Sequence, residues 1–97
     1  MADDKIEVEN VNVPGQITRV DRAKYEDMKA AMMQVMSADQ PGMTAKEIKE
    51  GAIPHLSEAL FPEGKTSGWW AKSVQLDLEA KGILARSETK PLRWYKT

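Results

Sequence analysis

The sequence predicts an α+β fold in which three helices are followed by a C-terminal β-hairpin. Three observations support this prediction. Apolar residues recur at helical spacing in three stretches, at about residues 22–37, 45–52 and 67–81. Gly82 ends the third stretch, because glycine readily adopts the left-handed backbone that closes a helix. Two short runs rich in strand-forming residues then follow, as expected for a hairpin.

The chain of 97 residues has room for one domain with a modest core. Its hydrophobic residues amount to 41% and its charged residues to 30%, which is typical of a globular protein. We assign residues 22–97 to the domain and residues 1–21 to an N-terminal arm. No apolar run is long enough to span a membrane, and the N-terminus lacks the apolar core of a signal peptide. We therefore expect a cytoplasmic protein without membrane association.

The arm contains two short extended pieces. In the first, Ile6 and Val8 alternate with charged residues, and Pro14-Gly15 then marks a turn before the second, "QITRV". An isolated pair of strands is unstable in water. The arm should therefore pack on the domain, pair with another chain or stay mobile, and the sequence leaves these three alternatives open.

The first two helices have clear starting signals. Asp21 is a suitable N-cap for the first helix, and Thr44 with Glu47 matches the capping box that would start the second. Pro54 should end the second helix near Ala52, because proline cannot donate the helical hydrogen bond. The apolar stripe of the first helix is formed by Tyr25, Met28, Met32, Val35 and Met36.

The third helix is apolar on two sides, because successive helical residues point about 100° apart. The first face carries Trp70, Ala71, Val74 and Leu78, the second carries Trp69, Leu76 and Ala80, and the polar stripe carries Lys72, Gln75 and Glu79. A helix of this kind is covered on both apolar sides. One cover is the core, and the other is the arm, the segment at residues 53–62 or a second subunit.

The end of the chain resembles a known family. The stretch "VQLDLEAKGILAR" followed by "PLRWYKT" resembles the passage from recognition helix to wing in winged helix-turn-helix proteins. The matching residues are Leu78, Glu79, Gly82, Ile83 and Leu84. The likeness covers residues 22–97 and implies a winged helix-turn-helix fold with an N-terminal extended arm. The whole chain also resembles a family of small uncharacterised bacterial proteins with an "NVNVPG…RVD" segment and a closing "KPLRW".

The first function hypothesis is binding of double-stranded DNA in transcription regulation, which the resemblance implies. The net charge is −1, yet residues 63–97 hold seven Lys or Arg and four Asp or Glu, which favours an anionic partner there. Side chains at the helix would contact base edges and those on the wing would contact phosphates. The candidate contact residues are Lys65, Thr66, Ser67, Lys72, Gln75, Arg86, Lys90, Arg93 and Lys96.

The alternative hypothesis is a protein-interaction or homodimerisation module that uses the same scaffold without nucleic acid. The doubly apolar third helix favours it, because an uncovered apolar face marks an interface. Its candidate interface residues are Trp69, Leu76 and Ala80.

The residues give no indication of an enzyme. The chain has no cysteine and one histidine, His55, so neither a thiol nucleophile nor a zinc site with thiolate ligands is available. Asp77 and Glu79 are two residues apart on a helix and do not face each other, and no glycine-rich phosphate loop exists. We therefore expect no catalytic residue, metal, cofactor or small-molecule ligand.

Overall fold

Three helices and two small antiparallel sheets make up residues 5–97, which the computed structural model describes. The first four residues of the predicted arm lie outside this range. The elements are β1 (Lys5–Glu9), β2 (Ile17–Asp21), α1 (Arg22–Val35), β3 (Met43–Thr44), α2 (Ala45–Ala52), α3 (Ser67–Ala80), β4 (Leu84–Ser87) and β5 (Arg93–Lys96). The α+β class and the three predicted helices are confirmed, with helix ends within two residues of those expected.

The arm forms the β1–β2 hairpin and packs on the rest of the chain. The two strands are antiparallel and in register from Lys5 opposite Asp21 to Glu9 opposite Ile17. Val8 and Val20 are buried and join the hydrophobic core. Burial of these two side chains supplies the apolar contact area that an isolated hairpin lacks in water. Packing on the domain is therefore the alternative that the structure adopts.

The second sheet has the strand order β3–β5–β4 and includes a strand that the sequence did not predict. This strand, β3, is two residues long and pairs with β5 through Met43 opposite Trp94. Gly42 precedes it with φ of +94°, and a Cβ there would lie 2.0 Å from the Trp94 carbonyl oxygen. Only glycine permits this close approach of the two backbones.

The segment between α2 and α3 forms short 3₁₀ turns at Ile53–His55 and Pro62–Gly64, and α2 ends at Ala52 as predicted. Proline at the start of each turn explains this, because it removes a backbone donor. Phe61 is buried in the segment and lies edge-on against the Trp70 ring, with centroids 6.2 Å apart. The segment thus covers the first turns of α3 on the core side.

Helix α3 lies between the core and the hairpin. Val74 and Leu78 are 0% exposed on the core side, and Leu76 is 8% exposed on the hairpin side. The predicted polar stripe is only partly correct, because Gln75 is 5% exposed and the Glu79 side chain 10% exposed. Both are covered by neighbouring elements that the helical pattern alone does not place.

The core position of Leu78 gives a stability prediction. Leu78→Ala should lower the free energy of unfolding by about 2–5 kcal/mol, because it leaves a cavity in a site that is fully enclosed. Urea denaturation would measure the change. The control is Val13→Ala, since Val13 is 46% exposed, and it should change stability by less than about 0.5 kcal/mol. Equal effects of the two substitutions would contradict the assignment of the helix faces.

Candidate functional site

A groove of about 500 Å³ lies between α2, α3 and the C-terminal β4–β5 hairpin, and we call it the α2–α3 groove. Asn12, in the loop between β1 and β2, also lines it. The buried residues that line it are Ala71, Gln75, Leu76 and Trp94, and the cationic ones are Lys46, Lys49, Lys72 and Arg86. Among residues 5–97, no Asp or Glu lines this groove.

Helix α2 supplies two of the cations. Its apolar face, with Ile48 and Ala52, is buried, so Lys46 and Lys49 lie on its outer side three residues apart. The capping box fixes the start of the helix, because Glu47 N–H donates to Thr44 Oγ1 at 3.2 Å and Thr44 N–H donates to Glu47 Oε1 at 2.9 Å. The second of these bonds lowers the pKa of Glu47, because it stabilises the carboxylate.

Helix α3 keeps the groove open through small side chains. Gly68 and Ala71 line it on the side that faces α2. A Cβ added at Gly68 would already contact the Lys49 side chain, at 3.6 Å from Cδ. A larger residue at either position would fill the space between the two helices. The groove therefore depends on these two residues being small.

The lysines and the arginine of the groove differ in their partners. Lys46, Lys49 and Lys72 have no ion-pair partner within residues 5–97. Arg86 pairs with Glu79, with Nε 2.9 Å from Oε2 and Nη2 3.1 Å from Oε1. Glu79 offsets the charge of Arg86. The remaining positive charge of the groove therefore comes from the three lysines.

Glu79 also holds the C-terminal hairpin against α3. It accepts a hydrogen bond from Trp94 Nε1 at 3.0 Å, and the Arg86 guanidinium lies 5.5 Å from the centroid of the Trp94 ring. A carboxylate with two in-chain donors and little exposure does not present its charge to a partner. Glu79 therefore does not stand on a freely exposed stripe of α3.

Asp77 joins three elements behind the groove. Its side chain is 0% exposed and accepts hydrogen bonds from the Glu9 backbone N–H at 2.8 Å, from Lys81 Nζ at 2.8 Å and from the Tyr25 hydroxyl. Burial and, next, the hydrogen bond to Asp77 raise the pKa of Tyr25. These contacts hold β1 on α3 and α1, and so bring the hairpin loop with Asn12 to the groove.

The predicted DNA contacts fall into separate groups in the structure. Lys72, Gln75 and Arg86 line the α2–α3 groove, while Lys65 and Lys90 are exposed outside it. Ser67 and Gln75, two of the candidate DNA contacts, are buried, at 6% and 5% exposed. The cause is that α3 is covered on two sides, and that the segment between α2 and α3 packs on its first turns through Phe61.

Three further predicted contacts are bonded within the chain. Arg93 Nη1 donates to the Gly42 carbonyl at 3.2 Å and lies 3.4 Å from Glu47 Oε1. Lys96 Nζ donates to the Met33 carbonyl near the end of α1 at 3.1 Å, and Lys96 does not line the groove. The Thr66 hydroxyl donates to the Lys65 carbonyl, and Thr66 has φ of +62° just before α3.

The three predicted interface residues are also separated. Leu76 is covered by the β1–β2 hairpin of the same chain, and Ala80 is half-buried. Trp69 is 57% exposed and packs edge-on against Trp70, with ring centroids 5.0 Å apart. Of the three, Trp69 alone offers a large free apolar surface.

Lys46, Lys49 and Asn12 were absent from the predicted site. The sequence held one usable signal, since two lysines three residues apart must share the outer side of α2 once Ile48 faces inward. That this side lies next to α3 is a tertiary feature, which helical spacing does not encode.

Residues 5–97 contain no group of three side chains placed to hold a metal ion. None of the helices in this range has the length and apolar character needed to cross a membrane.

A model of the "Family of unknown function (DUF6958)" matches residues 5–94, and the chain belongs to this family. The matched range runs from β1 to Trp94 in β5, so both the hairpin and the α2–α3 groove lie within it. No curated protein and no solved structure matches the chain.

The Tyr25–Asp77 contact gives a pH prediction. Because folding raises the pKa of Tyr25, its contribution to stability should be present below its unfolded pKa of about 10 and be lost as pH rises beyond it. Tyr25→Phe should lower the free energy of unfolding by about 1.5–3 kcal/mol at neutral pH. Above about pH 10 the difference from the wild type should shrink by up to about 1.4 kcal/mol per pH unit.

Urea denaturation between neutral pH and about pH 11 would measure this difference. Tyr95→Phe is the control, because Tyr95 is half-buried and forms no side-chain hydrogen bond with another residue in the range 5–97. It should keep the alkaline decline of the wild type. A difference between wild type and Tyr25→Phe that stays constant with pH would contradict the role given to Tyr25.

Proposed function

We propose that this member of the DUF6958 family is a winged-helix protein that binds double-stranded DNA through the α2–α3 groove and has no catalytic role. The order of the elements supports a winged helix, because α1, β3, α2 and α3 are followed by the β4–β5 hairpin. The strand order β3–β5–β4 supports it as well, since it joins that hairpin to the strand between the first two helices. In this proposal β4–β5 is the wing.

The observation that carries the DNA proposal is the charge of the groove. Three lysines, Lys46, Lys49 and Lys72, converge on one concave surface and lack ion-pair partners within residues 5–97. Unpaired ammonium groups close together repel one another and attract a polyanion. Duplex DNA offers phosphates at regular spacing along its backbone, so it matches an array of this kind.

Two other cations, Lys65 and Lys90, are close in sequence to residues that line the groove. Lys90 lies in the wing, two residues before Leu92, which lines the groove. Lys65 lies three residues before Gly68, which lines the groove at the start of α3. Both side chains are exposed and have no ion-pair partner in the range 5–97. They would add phosphate contacts beside the groove. A cytoplasmic location remains a prediction.

Charge reversal in the groove tests the proposal. Lys46→Glu/Lys72→Glu should weaken binding to a mixed-sequence duplex at least about tenfold at low salt, because it removes two phosphate contacts and adds repulsion. Both side chains are exposed, so the variant should keep its thermal unfolding midpoint. Fluorescence anisotropy with a labelled duplex would give the affinity.

The matched control is Lys24→Glu/Lys29→Glu on α1, which alters the net charge equally and lies outside the groove. It should retain most of the affinity of the wild type. Equal losses in the two variants would show that net charge alone governs binding. Failure of the wild type to bind any duplex, or equal binding to polyglutamate, would exclude the DNA proposal.

Protein association is the second candidate, and Trp69 is the observation that favours it. The side chain is 57% exposed beside a cleft of about 150 Å³ between α3 and the β1–β2 hairpin. An exposed tryptophan offers a large apolar area and an N–H donor, a combination enriched at the centres of interfaces. The candidate therefore rests on Trp69, since Leu76 is covered within the chain.

Sedimentation tests this second candidate. If Trp69 forms a homodimer contact, Trp69→Ser should shift the protein to monomer at concentrations where the wild type is dimeric. The control Ile53→Ser changes another exposed apolar residue, 37% exposed and on the 3₁₀ turn after α2, and should leave the dimer intact. A wild type that is monomeric at every concentration would exclude homodimerisation through this residue.

A further inference from the structure

We infer that the α2–α3 groove binds the duplex through its phosphates alone and accepts any base sequence, an inference that rests on the proposed function. Direct reading of bases requires free hydrogen-bonding side chains that reach base edges in a groove of the DNA. The structure leaves very few such side chains on the face that carries the lysines.

Two uncharged polar residues of α3, Ser67 and Gln75, are not free to read bases, and the third, Ser73, lines the cleft beside the β1–β2 hairpin instead of the groove. Ser67 is 6% exposed and Gln75 is 5% exposed. Between them along the groove lie Gly68 and Ala71, which have no hydrogen-bonding side chain. At the groove, α3 therefore offers no free uncharged polar side chain. A helix that reads bases instead projects such side chains into the major groove.

The two arginines near the groove are engaged within the chain. Arg86 has two contacts with the Glu79 carboxylate, and Arg93 contacts the Gly42 carbonyl and Glu47. Arginine is the side chain that most often reads guanine, through two parallel hydrogen bonds. To do so here, Arg86 would have to leave the Glu79 carboxylate, which is 10% exposed and would keep only its hydrogen bond from Trp94 Nε1.

The lysines that remain suit phosphates better than bases. Each carries a compact charge on a flexible stem, which follows a phosphate without fixing one geometry. Asn12 is the other polar side chain at the groove, and one amide can select at most one adenine. The geometry thus provides a backbone-binding surface of three cations and no array of base-reading groups.

Two measurements test the inference on the full chain. The first is the affinity for duplexes of about 20 base pairs that are A·T-rich, G·C-rich or mixed. The three affinities should agree within about threefold. A sequence-specific protein, by contrast, binds its own site about 10³-fold or more tightly than other DNA. The second is selection from a random-sequence duplex library, which should enrich no motif.

The salt dependence gives an independent reading of the phosphate contacts. With Lys65 and Lys90 counted beside the three lysines of the groove, log affinity against log salt should have a slope of about −4.5, or about −0.9 for each of the five contacts. Lys46→Gln, Lys49→Gln and Lys72→Gln should each reduce the slope by about 0.9 and lower the affinity equally for all three duplexes. Lys24→Gln on α1 is the matched control and should leave the slope unchanged.

The outcomes separate this inference from the proposed function. An enriched motif, or a preference above about tenfold for one duplex, would overturn sequence-neutral binding and leave DNA binding in place. Loss of such a motif in Asn12→Ala would assign base reading to the hairpin loop, which also overturns the inference. Absence of binding to all duplexes at about 50 mM salt would overturn the proposed function itself.

Discussion

The contact on which the rest of this structure depends is the buried carboxylate of Asp77. Burying a charge is costly, and the cost is offset only when the group is well paired and hydrogen-bonded. Here the backbone of Glu9, the hydroxyl of Tyr25 and the ammonium of Lys81 all donate to it. These donors come from β1, from α1 and from the residue after α3, so one side chain ties together elements up to 68 residues apart in sequence. Removing the carboxylate would leave a buried hydroxyl and a backbone N–H without their acceptor.

The same contact determines which surfaces remain available for binding. Because Glu9 is held to Asp77, the β1–β2 hairpin lies along α3 and covers Leu76. Helix α3 then has the core on one side and the hairpin on the other, and its remaining side faces α2 across small residues. The cations that border this space come from α2 as much as from α3. A helix enclosed in this way forms the base of a groove, and the charges at the margins of the groove are the ones that the proposed DNA contact would use.

Elements with local signals could be predicted from the sequence. The Thr44–Glu47 capping box and Gly82 each depend on residues within one helical turn, and the helices began and ended close to where they indicated. Features that depend on distant residues could not be predicted. Asp77 looks like an ordinary polar residue of α3 until Tyr25, 52 positions earlier, is placed beside it. Strand β3 is too short to show any periodicity, and it exists only because β5 offers it hydrogen-bonding partners.

The distribution of charge explains how a chain with a net charge of −1 can present a cationic face. Two carboxylates beside the groove already have partners, since Glu79 pairs with Arg86 and Glu47 pairs with Arg93. Each of these pairs is close to neutral at a distance and also fixes the C-terminal hairpin against α3 or α2. The field at the groove is therefore set by the lysines that are left over, and salt screening limits the influence of carboxylates elsewhere to about 8–10 Å. Local pairing and the distances between charges, which folding determines, thus matter more for an anionic partner than the net charge that the sequence reports.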